Sequence, residues 1–226
     1  MTARTCRHPI RIDRRSWLTA ALMWAASSCG PGWAQSAGVS QGPHPGPHPG
    51  PHSGEAQPYP AEQTIAGVVL RLNGMGVFSR FGIRPYAAGL YLMAPASSAA
   101  QVVAAPGPKR VRVRMLRELP SEEFSKALGK GLRRNSSPAQ QQVFAEAMAT
   151  LLAQIDGIVT ARKGDVVDLD FDPARGMSLK LNGTLRGPAL SGPEGAELYA
   201  ATLLSFVGER PYSPELRAAM LGRKAS

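Results

Sequence analysis

The chain has 226 residues, a formal net charge of +10, 6% aromatic residues and two cysteines. Cys6 and Cys29 both lie in the first 34 residues, so the remainder has no disulfide, thiolate nucleophile or cysteine metal site, and only its core holds it together. Five of the 26 basic residues and one of the 16 acidic ones also lie there, which leaves 21 against 15 and a net charge of +6.

Arg4, Arg7, Arg11, Arg14 and Arg15 form a basic lead to the apolar run Trp17–Ser28, and Gly32-Trp33-Ala34 offers small residues around a cut after Ala34. This layout predicts a cleaved signal peptide over residues 1–34 and a periplasmic or secreted product. The apolar run falls well short of the ~20 residues of a spanning helix. Arg14-Arg15 before Ser16-Trp17 resembles a twin-arginine signal, and an ordinary Sec signal fits equally well. Cys29 resembles a lipoprotein cleavage site only faintly, because Ala26 stands where leucine is usual.

Residues 35–61 are low in complexity. The repeat "GPHPGPHPGPHSG" spaces His44, His48 and His52 four apart. Such a segment buries too little apolar area to offset chain entropy, and predicts an extended tether rather than a metal site, since nothing fixes the three imidazoles around one ion.

From residue 62 to 226 the pattern is that of one globular domain. "TIAGVVLRL" (64–72) reads as a strand, and Asn73-Gly74 as the tight turn after it. Asn73-Gly74-Met75-Gly76 is not a phosphate loop, because a strand follows rather than a helix N-terminus. Residues 77–93 read as a long strand or a kinked pair of strands, with Gly82 and Pro85 interrupting the ladder near an edge or bulge. "KRVRVRMLR" (109–117) alternates as a half-buried strand with Arg110, Arg112, Arg114 and Arg117 on a solvated face. No aromatic residues are interleaved for base stacking, so nucleic acid is not an expected partner.

Ser121 is placed to cap a helix carrying Glu122 and Glu123 in its first turn. Ser137-Pro138-Ala139-Gln140 spells a capping box for a second helix, with Val143, Phe144, Met148, Leu151, Leu152 and Ile155 on its buried face. "DVVDLDFD" (165–172) and "MSLKLNG" (177–183) read as paired strands. Asp168, Asp170 and Asp172 fall on their solvated side, which argues against a cation site. A helix over 193–208 and a short one after Ser213-Pro214 close the chain. Strands, helices, strands, helices: the fold class is α+β with a mainly antiparallel sheet.

"LNGMGVFSRFGIRPYAAGLYL" resembles the first hairpin of the chalcone isomerase family, particularly its exported bacterial branch. The resemblance continues through "PGPKRVRVRMLRELPSEEFSKAL", "GDVVDLDF", "LNGTLRG" and "LLSFVGERPYSPELRAAMLG". It implies an open-faced β-sandwich, a large antiparallel sheet with a layer of helices on one face and a ligand cleft between. It also implies a cofactor-free ring closure in which a hairpin arginine steadies a developing anion. A hairpin hydroxyl, a tyrosine and an asparagine on the first helix, and a late-helix polar residue place water and substrate.

In this sequence the arginine position is Phe78, the hydroxyl Tyr86, the helix tyrosine Phe124, the asparagine near Gly131 and the late-helix residue near Tyr199. Phe78 cannot hold an enolate oxygen, and Phe124 cannot order a water. Arg80 lies on the same face of an ideal strand, about 6.7 Å along. The expectation is a non-catalytic domain that binds a small apolar or amphipathic molecule, an acyl chain or an aromatic, through Phe78, Arg80, Tyr86, Phe124 and Tyr199. The alternatives are an isomerase using Arg80, Tyr86 and Tyr199, and a structural or partner-binding module with a filled cleft. Phe81 reads as a core residue or a pocket wall. No cofactor, metal or membrane span is expected.

Overall fold

The computed structural model describes residues 59–223; the expected signal peptide and the tether up to residue 58 lie outside the described residues. The chain runs β1 (Glu62–Ile65), β2 (Val68–Arg80), β3 (Ile83–Leu92), α1 (Ala99–Ala104) and β4 (Lys109–Met115). A two-residue β5 (Leu119–Pro120) leads into α2 (Ser121–Arg134), α3 (Pro138–Val143) and α4 (Ala145–Asp156), and β6 (Thr160–Ala161) returns to pair with β5. Then come β7 (Val166–Asp172), β8 (Gly176–Leu181), β9 (Thr184–Leu185), α5 (Gly192–Val207) and α6 (Pro214–Met220). The main sheet is antiparallel throughout, in the order β1-β2-β3-β4-β7-β8-β9. Fold class and helix layer are as the sequence predicts.

Turn chemistry draws this meander. Ala66-Gly67, Phe81-Gly82 and Asn182-Gly183 each join two strands with positive φ at both residues, the backbone that a two-residue type I′ hairpin requires. Asn73-Gly74, the expected turn, is instead inside β2. The register slips by one residue there, from Leu72 opposite Tyr91 to Gly74 opposite Leu90. This bulge turns the side-chain alternation over. Leu70 and Leu72 join Tyr91 and Tyr59 on one face, whereas Gly74, Gly76 and Phe78 look toward the helices. The Asn73 amide holds the kink by donating to the carbonyls of Ala96 (2.9 Å) and Met220 (2.8 Å) and accepting from Ala96 N–H (2.7 Å).

The helices pack on the second face. Leu90, Val111, Val113 and Leu169 from the strands meet Leu128, Leu198, Phe206 and Leu216, all essentially inaccessible. Ser137 makes the expected capping box with Gln140. The helix it starts breaks at Phe144 into α3 and α4, which leaves Val143 exposed while Phe144, Leu151 and Ile155 are buried. Ser121 is the first residue of α2 rather than its cap; its hydroxyl donates to the Asp156 carbonyl at 3.3 Å.

The other face corrects a further expectation. Arg110 and Arg112 do not extend into solvent, nor do Asp168 and Asp170, which are 3% and 2% exposed. Arg110 grips Asp170 with two bonds of 2.6 and 2.7 Å, and Arg112 grips Asp168 with two of 2.7 and 2.8 Å. Lys180 adds a third bond to Asp170 (2.9 Å), and Gln63 accepts from Arg110 (2.7 Å), which ties β1 to the network. Tyr59, expected in the tether, lies across Gly89 instead, and Tyr91 donates to the Pro60 carbonyl at 3.1 Å.

Two outcomes are expected from urea unfolding. Asp170→Ala strands a buried guanidinium and lowers stability by about 3–5 kcal/mol, the cost of removing one partner of a buried pair. Gly74→Ala places a methyl 2.1 Å from the Ala219 carbonyl. Because that neighbour is backbone, α6 must move, at a cost of about 1–3 kcal/mol.

Candidate functional site

At one end of the sheet the β2–β3 hairpin and α2 diverge around a cleft of about 710 Å³, within the range of small-molecule sites. Phe124, Ala127, Leu128, Gly131 and Arg134 fall at helical spacings of three and four on α2, so one stripe of the helix faces the cleft. The hairpin supplies the opposite wall. The Asn73 bulge sends Phe78 inward there, and a second irregularity between Phe78 and Arg80, at Pro85, ends the regular ladder.

The interior is aromatic. Phe78 stacks on Tyr86 with centroids 4.9 Å apart and rings 11° from parallel, and Tyr86 meets Phe124 edge to face at 6.1 Å. Phe206 and Tyr212 form another edge-to-face pair at 5.0 Å. Burial pushes the Tyr86 and Tyr212 phenols far above their ordinary range, so both stay neutral and can donate. The Tyr212 hydroxyl is buried without a hydrogen-bond partner and lies over Gly131, where a Cβ would come within 2.5 Å of it. The missing side chain at Gly131 is therefore what admits Tyr212.

Charge is confined to the rim. Arg80, Lys130 and Arg134 stand there with a single carboxylate, Glu123. Arg80 is exposed and its guanidinium lies 5.2 Å over the Phe81 ring, turned toward the hairpin tip. Arg134 donates to the Pro211 carbonyl at 2.9 Å. The irregularity between Phe78 and Arg80 places its extra residue on β3, and both side chains line the cleft.

The structure thus gathers four of the five expected residues, Phe78, Arg80, Tyr86 and Phe124, around one cleft. Tyr199 is placed elsewhere. It is fully buried between α5 and the sheet, stacked on Phe171 at 5.1 Å, with its hydroxyl donating to the Leu169 carbonyl at 3.3 Å. Phe81, expected in the core or a wall, is an 89% exposed residue of the hairpin tip and cleft mouth. Sequence reasoning missed Tyr212, Phe206, Lys130 and Arg134. Arg134 was open to it, being in step with Phe124 through Ala127 or Leu128 and Gly131 along α2.

Among the described residues no group of His, Cys, Asp and Glu is arranged to hold a metal, and no helix is long and apolar enough to cross a membrane. The Asp168 and Asp170 carboxylates are taken up by arginine and lysine.

None of the curated proteins matches this sequence. Among solved structures, a fatty-acid binding protein of Arabidopsis thaliana has the same fold, with a TM-score of 0.52 and 18% identity, over 72% of this chain and 90% of that one. The chalcone isomerase-like family matches residues 55–222, nearly three-quarters of the sequence, and with sheet, helix layer and cleft in the arrangement that family implies, the chain belongs to it.

Proposed function

We propose that this protein is an exported, non-catalytic member of the family that binds a small amphipathic molecule, an acyl chain with an anionic head, in the cleft between the β2–β3 hairpin and α2. One observation carries the reading. The position that holds a catalytic guanidinium in the enzymes it resembles is a phenylalanine stacked face to face on Tyr86. An apolar tail gains by leaving water for such an interior, and a carboxylate head remains hydrated beside Arg80, Lys130 and Arg134. The Arabidopsis protein of the same fold is a fatty-acid binding protein, which supports this ligand class. The signal-like residues 1–34 support export.

The isomerase alternative needs Arg80, Tyr86 and Tyr199 to converge, and their separation argues against it. The filled-cleft alternative has the open volume against it.

A fluorescent fatty acid is expected to bind with micromolar or better affinity and to be displaced by unlabelled long-chain fatty acids. Ala127→Trp, at an exposed point of the lining, blocks the cleft and weakens binding at least tenfold with no change in melting temperature. Lys130→Glu weakens a carboxylate relative to the alcohol of equal chain length by roughly two- to fivefold, the scale of an exposed ion pair. Turnover of a hydroxylated chalcone, abolished by Arg80→Ala, would replace this reading with the isomerase. Cell fractionation and N-terminal sequencing are expected to find a mature chain that starts at Gln35 outside the cytoplasm.

A further inference from the structure

The tip of the β2–β3 hairpin departs from two rules at one residue. Phe81 has φ +51, a region that bulky L-residues enter only with strain. Its ring is also 89% exposed, whereas phenylalanine normally contributes its area to a core. The turn does not call for it. The equivalent hairpin at Asn182-Gly183 has φ of +51 and +82 with asparagine at the first position, the favoured choice. Beside Phe81, Ile83 is 49% exposed.

Charge accompanies this apolar tip. Arg80 and Arg84 flank the turn and are exposed, and Arg117 is held to the hairpin base by its N–H to the Pro85 carbonyl at 3.3 Å. Lys130 and Arg134 stand across the cleft mouth. The carboxylates nearby are Glu118, next to Arg117 in sequence, and Glu123 on the rim, so five cations face two anions. None of these seven takes part in an ion pair among the described residues.

We propose that the hairpin tip docks on an anionic lipid surface, with Phe81 and Ile83 entering the boundary between headgroups and acyl chains and the surrounding arginines pairing with lipid phosphates. An aromatic and an aliphatic side chain on a cationic turn suit shallow, reversible insertion. They present far less than the ~800 Å² per partner of a stable protein interface. Arg80, Phe81 and Ile83 also line the cleft mouth, so docking sets the opening against the lipid. The evidence for docking is the tip itself; its use as a route for ligand rests on the reading of the cleft given above.

The test is sedimentation with phosphatidylcholine vesicles that contain or lack about a third phosphatidylglycerol. Wild type is expected to bind the anionic vesicles, to leave them as salt is raised, and to ignore the neutral ones. Phe81→Asn cuts partitioning about tenfold through lost apolar contact, yet raises the melting temperature by roughly 1–3 °C because asparagine suits the turn. Arg84→Glu weakens anionic-vesicle binding by more than about fivefold and leaves uptake of a soluble fluorescent fatty acid unchanged, since Arg84 is outside the cleft lining. The mature chain has no tryptophan, so Phe81→Trp there is a lone reporter whose emission shifts to the blue on anionic vesicles.

Equal binding to both vesicle types, or to neither, overturns the proposal. So does wild-type vesicle binding by Phe81→Asn, or a fall in its melting temperature, which would make the ring a structural element. A concentration-dependent dimer in sedimentation velocity that Phe81→Asn abolishes would assign the tip to a second copy of the chain. Loss of vesicle binding with fatty-acid uptake intact leaves the cleft reading standing.

Discussion

The one-residue slip at Asn73 is the constraint on which the site depends. In a strand of unbroken alternation, Leu70 and Leu72 would share a face with Gly74, Gly76 and Phe78. The bulge separates them, so one strand serves two faces of the sheet. Its first half closes the small cluster of Tyr59, Ile65 and Tyr91, and its second half forms the floor under α6 and the wall of the cleft. Glycine at 74 and 76 lets the α6 backbone come close, and the Asn73 side chain ties the kink to both the loop after β3 and the end of α6. Phe78 faces the cleft because Asn73 does not continue the ladder.

That arrangement shows why some of the molecule was legible and some was not. Asn-Gly occurs twice in strand-like surroundings. At 182–183 it is a hairpin turn, and at 73–74 it is a bulge within a strand. Local chemistry cannot separate the two, because what holds Asn73 extended is a pair of carbonyls 23 and 147 residues away. Phe81-Gly82 was read only in part, for the opposite reason. Gly82 marks an interruption, but a large apolar residue is disfavoured in the left-handed region, so Phe81 gave no sign of a hairpin turn and one long strand stayed open beside a pair. Periodicity did better where each element answers to its own packing, as in the Ser137 capping box and the alternating β7 and β8.

The charged face taught the complementary lesson. Alternation of Arg110 and Arg112 with valines, and of Asp168 and Asp170 with Leu169 and Phe171, correctly gave the strands and the face on which each side chain lies. It gave no information on whether that face meets water. The register sets Arg110 opposite Asp170 and Arg112 opposite Asp168, so the two rows neutralise each other across neighbouring strands. Two alternating rows of opposite sign in one antiparallel sheet admit a buried ladder as readily as two solvated faces. The network confers specificity of register more than net stability: a slip of one residue would leave buried charges unpaired.

The chemistry of the cleft follows from the same economy of charge. A guanidinium at position 78 would have to be desolvated among Tyr86, Phe124 and the core residues behind them, an arrangement sustained only when a substrate anion or a fixed carboxylate faces it. A phenylalanine there removes that requirement and adds a stacked pair, worth roughly 0.5–1.5 kcal/mol beyond its area. On the correspondence that the family resemblance implies, the absence of the cation and the packed aromatic wall are thus one feature seen from two sides. Transition-state stabilisation of a developing oxyanion needs preorganised donors or charge at the reacting atom, whereas equilibrium binding of a tail needs only dry volume and a wet, charged exit. Neutral phenols inside and arginine and lysine outside match the second requirement more closely than the first, and on that ground binding rather than catalysis is what we propose for this cleft.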